Sequence, residues 1–215
     1  MARLMVTMFV SLDGVLQAPG GDDEVHDPGY EHGGWAAPLI KEQVIERMTD
    51  LIGRADALLL GRNTYDIFAA TWPLAGPDDP IGVIMNKLPK YVASRTPRTL
   101  TWQNSEPLTG DVVEAVADLK RREDGEIQVH GSGGLIQTLL EHDLVDEFHL
   151  LVFPVLLGSG KRLFAEGTVP AGLRLVESTT LDAGVVVSRY ARAGALAYGA
   201  IGPETENWSP GGTNR

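Results

Sequence analysis

The chain has 215 residues, 43% hydrophobic and 22% charged, with 18 basic against 29 acidic side chains and no cysteine. That length can bury one substantial core, and a net charge of −11 argues against non-specific nucleic-acid binding, which needs clustered Lys and Arg against phosphate. Without cysteine there are no disulfides, no thiolate chemistry and no Cys-based zinc or iron–sulfur sites.

The opening "MARLMVTMFVSLDG" predicts a buried first strand over Leu4 to Val10, ending at the turn-prone Asp13-Gly14. Its apolar run is too short for a signal peptide or a membrane span, so a soluble, cytoplasmic chain is expected. A polar, Gly/Pro-rich loop covers Gln17 to Gly34; His26 and His32 lie there among acidic residues, which reads as a solvated loop rather than a metal site. From Leu39, the positions Ile40, Val44, Met48 and Leu51 fall at helical spacing, with Pro38 suited to the helix start.

"ADALLLG", Ala55 to Gly61, is a short apolar run expected as a buried strand, and Arg62-Asn63-Thr64 then open a short helix at Tyr65. "KYVAS", Lys90 to Ser94, is another strand. Asp111 and Glu114 form a capping-box pattern before the helical stripe Val112, Val116 and Leu119. "EIQVH" predicts a strand that runs into Gly131-Ser132-Gly133-Gly134, after which Leu135, Ile136, Leu139 and Leu140 share a helix face. Val145 to Gly158 reads as a long strand bent at Pro154. Two last strands, about Leu173 to Thr180 and Val185 to Tyr190, are joined by the hairpin signal Asp182-Ala183-Gly184. Strands alternating with helices, then strands alone, predict an α/β fold with a mainly parallel sheet and antiparallel edge strands. The domain is expected over 1–192, and the Gly/Pro-rich stretch 193–215 reads as a tail.

Three strand ends carry anion donors. Gly131, Ser132, Gly133 and Gly134 bring free backbone N–H groups and a helix N-terminus to one point, which suits a phosphate; a tight packing turn explains the same glycines. Gly61, Arg62, Asn63 and Thr64 repeat the arrangement, with a guanidinium that can fork onto phosphate oxygens. Ser94, Arg95 and Thr96 set two hydroxyls around a guanidinium, which suits a phosphomonoester such as the 2′-phosphate of NADP. "LLGSGKRLF" is no P-loop, because Val155 and Arg162 stand where that motif requires glycine and a hydroxyl. His130 and His149 read as core or edge histidines, and neither Ser11 nor Ser132 has the context of a nucleophile elbow.

"SLDG", "LLLGRNTY", "KYVASRT", "VHGSGGL" and "LVDEFHLLVFPVLLGSGKRLF" together resemble the dihydrofolate reductase-like superfamily, in its branch of riboflavin-biosynthesis reductase domains (the RibD C-terminal family). The resemblance runs in order from Met1 to Arg192. It implies a central, mainly parallel sheet of about eight strands with antiparallel edges and helices on both faces. It also implies NADPH as cofactor and a homodimer. By position, Gly61, Arg62, Asn63 and Thr64 would hold the pyrophosphate and adenosine side, Ser94, Arg95 and Thr96 the 2′-phosphate, and Gly131, Ser132, Gly133, Gly134 and Leu135 the pyrophosphate and nicotinamide half.

The substrate side departs from the known branches. Folate reductases carry an acid two residues after the proline of a W-x-x-P stretch; here, in "WAAPLI", Ile40 stands in its place. The riboflavin-pathway reductase has a lysine where Thr7 stands, and the basic residue that often follows "DG" is Val15. Asp13 is then the candidate catalytic group, to orient substrate or a water for proton delivery, its alternative role being to start the Asp-Gly turn. Trp35 and Phe9 are candidate apolar walls for the substrate. The expected function is NADPH-dependent hydride transfer to a small heterocyclic or carbonyl substrate; the alternative is a nucleotide-binding protein that has lost turnover.

Overall fold

The computed structural model describes residues 1–25 and 27–199. Eight strands form one sheet in the order β4-β3-β2-β5-β1-β6-β8-β7. In chain order they are β1 (Arg3–Ser11), β2 (Ala57–Gly61), β3 (Lys90–Ala93), β4 (Ser105–Leu108), β5 (Glu126–Val129), β6 (Glu147–Phe153), β7 (Leu173–Thr180) and β8 (Val186–Arg192). From β4 to β6 every pairing is parallel, and β8 and β7 close the far edge antiparallel. The five helices are α1 (Glu42–Ile52), α2 (Arg62–Thr71), α3 (Pro80–Lys87), α4 (Val112–Arg122) and α5 (Gly133–Glu141).

The interior strands β1, β2 and β5 are buried on both faces because helices cover both. On one face, Leu4, Val6 and Met8 of β1 pack with Val116 and Leu119 of α4 and with Ile136 and Leu139 of α5. On the other, Leu58 and Leu60 of β2 meet Tyr65, Met85 and Trp102, while Leu151 and Phe153 of β6 meet Val44 and Leu51 of α1. The two-residue alternation of a strand puts Thr7 and Phe9 of β1 on this second face.

Several expectations shift in detail. The helix expected from Leu39 starts at Glu42; Pro38 instead lies in a separate single turn, Ala37–Leu39, so Ile40 sits in the link between them. The strand expected to bend at Pro154 stops at Phe153. Helix α3 and strand β4 were not expected. The α3 start is set by Asp79, whose carboxylate accepts from the N–H groups of Ile81 and Gly82, with Pro80 at the first position. Strand β4 contains Pro107, tolerated because the strand is an edge. Asp111 caps α4 as expected, and the Asp182–Gly184 turn joins β7 to β8 with Ala183 at φ 60°.

Among the described residues no helix is long and apolar enough to cross a membrane, and no group of three His, Asp or Glu could hold a metal ion. His26 and most of the stretch expected as a tail, residues 200–215, lie outside the described residues.

Candidate active site

The carboxyl ends of the neighbouring strands β2 and β5 bring two of the glycine motifs into contact. The N–H of Gly61 donates to the carbonyl of Gly131 at 3.2 Å, and the hydroxyls of Thr64 and Ser132 are 3.1 Å apart. A methyl group on Gly61 would lie 2.9 Å from Ser132 Cβ and 3.0 Å from its backbone nitrogen. Gly131 has φ +122°, and a methyl group there would lie 2.6 Å from Thr64 Oγ1. Close packing of the two turns therefore explains Gly61 and Gly131. It does not explain Gly134, where a methyl group would meet nothing within 4 Å, and at Gly133 it would meet only Leu16, at 3.6 Å.

The helices that start here lack side-chain caps. Neither α2, which follows Gly61, nor α5, which follows Ser132, has one, whereas α3 and α4 are capped by Asp79 and Asp111. Uncapped N-termini leave N–H groups and the positive end of the helix dipole available to an anion. Arg62 is exposed, and its Nε–H donates to Asn63 Oδ1 at 3.3 Å. One strand outward, Ala93 pairs with Gly61, which sets Ser94, Arg95 and Thr96 beside the same edge. Arg95 and Thr96 are exposed, and the Ser94 hydroxyl donates to the Thr96 carbonyl at 2.8 Å. The donor set and the open space over Gly134 fit a bound anion. Leu135 instead packs against the main core.

The Gly131–Gly133 turn opens onto a cavity of about 440 Å³ on the α1 face of the sheet. Its walls are apolar: Ile45 and Met48 of α1, Phe68 of α2, Trp72, and Ile81 and Met85 of α3. Phe9 and Ile40 line it as well, and Thr7 lies in its floor. Trp35 does not line it; its indole N–H donates to the Gln17 carbonyl at 2.7 Å while its ring packs edge-on against Phe153. At the rim, the Lys161 ammonium is paired with Asp27 at 2.6 Å.

His130, expected as a core or edge histidine, is half-buried at the end of β5 and lines the cavity. Its Nε2 lies 2.9 Å from Gln128 Oε1. The Gln128 amide nitrogen donates to the Leu51 carbonyl and to Glu126, so Oε1 is left as an acceptor and His130 Nε2 must carry the proton. Nδ1 is then the unprotonated nitrogen. Burial, together with the nearby His149, lowers the His130 pKa to about 4, so the ring is neutral at pH 7 and offers an acceptor. No local sequence signal marked this residue, because its cavity and the Leu51 carbonyl that fixes its partner Gln128 are both non-local.

Asp13 does not line the cavity. Its carboxylate accepts from the Ser11 hydroxyl at 2.7 Å and from the N–H groups of Gly158 and Leu157 at 2.8 and 3.2 Å. Those bonds, the Ser11 hydroxyl first, hold it well below the usual carboxylate range. Here the turn role prevails: Asp13 ties the end of β1 to the loop after β6 and is too acidic to deliver a proton near pH 7.

The RibD C-terminal domain pattern matches residues 2–187. The chain belongs to the RibD C-terminal domain family. Among curated relatives, the uncharacterized YyaP of Bacillus subtilis (strain 168) is 28% identical over 189 residues, covering 86% of this chain and 92% of that protein. YwjB of the same organism, also uncharacterized, is 28% identical over 180 residues, covering 80% of this chain and 88% of that protein. A solved structure of a candidate riboflavin biosynthesis protein from Shewanella sp. PV-4 is similar, with TM-score 0.63, 27% identity and coverage of 90% of this chain and 99% of that one. The Thermotoga maritima deaminase/5-amino-6-(5-phosphoribosylamino)uracil reductase, 14% identical with TM-score 0.59, shares the fold over 89% of this chain and 57% of its own. The chain therefore has the dihydrofolate reductase-like architecture of the RibD reductase domains, and reductases are among the proteins it is similar to.

Proposed function

We propose that this protein is an NADPH-dependent reductase acting on a small cyclic substrate. The observation that carries the reading is the junction of two uncapped helix N-termini, with open space over Gly134, leading into an apolar cavity. The N–H groups at the starts of α2 and α5, with Arg62, would hold the pyrophosphate, and Arg95 with Ser94 and Thr96 the 2′-phosphate. When bound, NADPH supplies a hydride. The chain's own part is to orient the two reactants and to keep water out with the walls set by Phe68, Trp72 and Met48. Asp13 is not assigned the proton, and neutral His130 acts as an acceptor that positions the substrate.

Titration with NADPH and NADH, followed by nicotinamide fluorescence, tests the reading. Arg95→Ala should weaken NADPH by roughly tenfold or more while leaving NADH nearly unchanged, the difference being one charge-assisted pairing with the extra phosphate. Equal losses for the two cofactors would remove Arg95 from the 2′-phosphate.

A second reading, a nucleotide-binding protein without turnover, is favoured by one observation: Asp13, the candidate proton donor, does not line the cavity. Persistent NADPH binding with no oxidation across a panel of heterocyclic and carbonyl acceptors would select it.

A homodimer is expected as well. Strand β7 supports it as a long, fully exposed edge carrying Leu173, Leu175 and Val176, the kind of edge a second copy covers. Sedimentation velocity should give a dimer that Leu175→Glu converts to monomer; a monomeric parent chain would end this expectation.

A further inference from the structure

Helix α2 runs along the cavity from a polar end to an apolar one. Asn63 and Thr64, in its first turn, line the cavity beside Ser132, whose hydroxyl is 3.1 Å from that of Thr64. Ile67 and Phe68, four residues on and so on the same helix face, line it next, and Trp72 lines it just past the helix end. At 1.5 Å of rise per residue the step from Thr64 to Trp72 is roughly 12 Å, so the far end lies well away from the helix starts. The rings mark the same direction: Phe68 lies 6.4 Å from His130 on one side and 6.1 Å, edge-on, from Trp72 on the other.

The other walls of this far end come from α1 and α3, and every lining residue those two helices supply is apolar. Met48, Phe68, Trp72 and Ile81 pack against one core cluster and so form a continuous surface. The core does not consume them. Ile45 is 43% exposed, and Met48, Ile67, Phe68, Trp72 and Ile81 are half-buried. Val44, Leu51 and Ile52 already supply the buried stripe of α1; Ile45 and Met48 widen it toward the cavity. The indole nitrogen of Trp72 is closed off, so its ring offers carbon alone. Apolar side chains left against water hold a driving force in reserve, which an apolar group of a ligand releases by displacing that water.

We propose that the end of the cavity bounded by α1, α2 and α3 is a subsite for an uncharged apolar group, so that the compounds this protein takes carry an aryl or branched alkyl substituent on the ring that meets the Gly131–Gly133 turn. The polar end and the apolar end divide the labour: the strand-end turn sets the position of the reacting ring, and the helix-lined end selects what is attached to it. That such a compound is a substrate rests on the reductase reading; the subsite does not.

Calorimetric titration of the full chain tests it. The probes are isatin, two apolar derivatives that carry a ring on different sides of it (N-benzylisatin and 5-phenylisatin), and N-(2-hydroxyethyl)isatin as a polar substituent. At least one aryl derivative should bind at a single site at least tenfold more tightly than isatin, while the hydroxyethyl compound gains nothing. Ile45→Gln and Ile81→Gln each set a polar amide in the wall and should cut that ratio to about threefold or less. Ile45 is the more exposed of the two, so its variant reads the subsite even if Ile81→Gln folds poorly. No gain for either aryl compound overturns the subsite. A gain that survives both substitutions places the apolar group elsewhere and overturns it as well. Titrating the same samples with NADPH keeps the two readings apart. Aryl binding without NADPH binding removes only the reductase, whereas NADPH binding with no aryl gain removes only the subsite.

Discussion

Gly61→Ala should cost about 2–3 kcal/mol of stability and abolish cofactor binding, whereas Gly134→Ala should leave the fold as stable or slightly more so and still impair the cofactor. The two glycines differ in what surrounds them. At Gly61 the new methyl group lies 2.9 Å from Ser132 Cβ and 3.0 Å from its backbone nitrogen. Neither Cβ nor the backbone nitrogen can rotate away, so the turns after β2 and β5 must move apart, breaking the bond from Gly61 N–H to the Gly131 carbonyl. That bond joins the starts of α2 and α5, where the cofactor is proposed to bind. At Gly134, in the first turn of α5, a methyl group meets nothing. Alanine there lowers the entropy of the unfolded chain and suits a helix better than glycine, by up to about 1 kcal/mol. If a cofactor fills the space over Gly134, the same methyl group obstructs it, and affinity should fall roughly tenfold. Urea melts and fluorescence titration of both variants decide this. Unchanged NADPH affinity in Gly134→Ala would mean that the space serves no ligand.

Acid should destabilise the protein well before its carboxylates titrate. Burial lowers both His130 and His149 from the ordinary 6.5 to about 4; each also feels positive neighbours, His149 in the case of His130 and Arg189 first in the case of His149. With the folded pKa depressed, the unfolded chain binds more protons between these values, so stability is greatest above pH 6.5. It falls as pH drops from 6.5 to about 4. A fall of that size corresponds to roughly 3 kcal/mol for each histidine. Glu126 works the other way: burial raises its pKa, so its protonation partly offsets the loss toward the acid end. Urea unfolding at pH 7.5 and 5 should therefore differ by several kcal/mol, and His149→Gln should roughly halve the difference, since glutamine cannot take up the proton. A flat profile across this range would contradict the buried, neutral state of both rings.

The floor of the cavity and its chemistry were only partly legible along the chain. Thr7 and Ile40 were visible as the places where the resemblance expects a lysine and an acid, and both line the cavity. His130 read as an ordinary strand histidine, because what sets its tautomer is Gln128, whose amide is in turn fixed by Leu51, 77 residues away. Asp13 looked like a proton-handling group beside a turn. Its three hydrogen bonds include two from Leu157 and Gly158, across 144 and 145 residues, and no local pattern encodes those. Trp35 looked like a wall and stands outside the cavity, against Phe153.

By itself the sequence determined the alternation of strands and helices, the capped start of α4, the closing hairpin, and the three glycine or arginine turns at strand ends. Each of these is written in a few consecutive residues, through periodicity, capping and turn chemistry. Only the tertiary structure decided that β5 inserts between β1 and β2, which joins Gly61 to Gly131 by a hydrogen bond and brings His130 and Thr7 to one cavity. Pairing partners, burial and the pKa values that follow depend on atoms from distant segments, and strand order is the step at which those segments first meet.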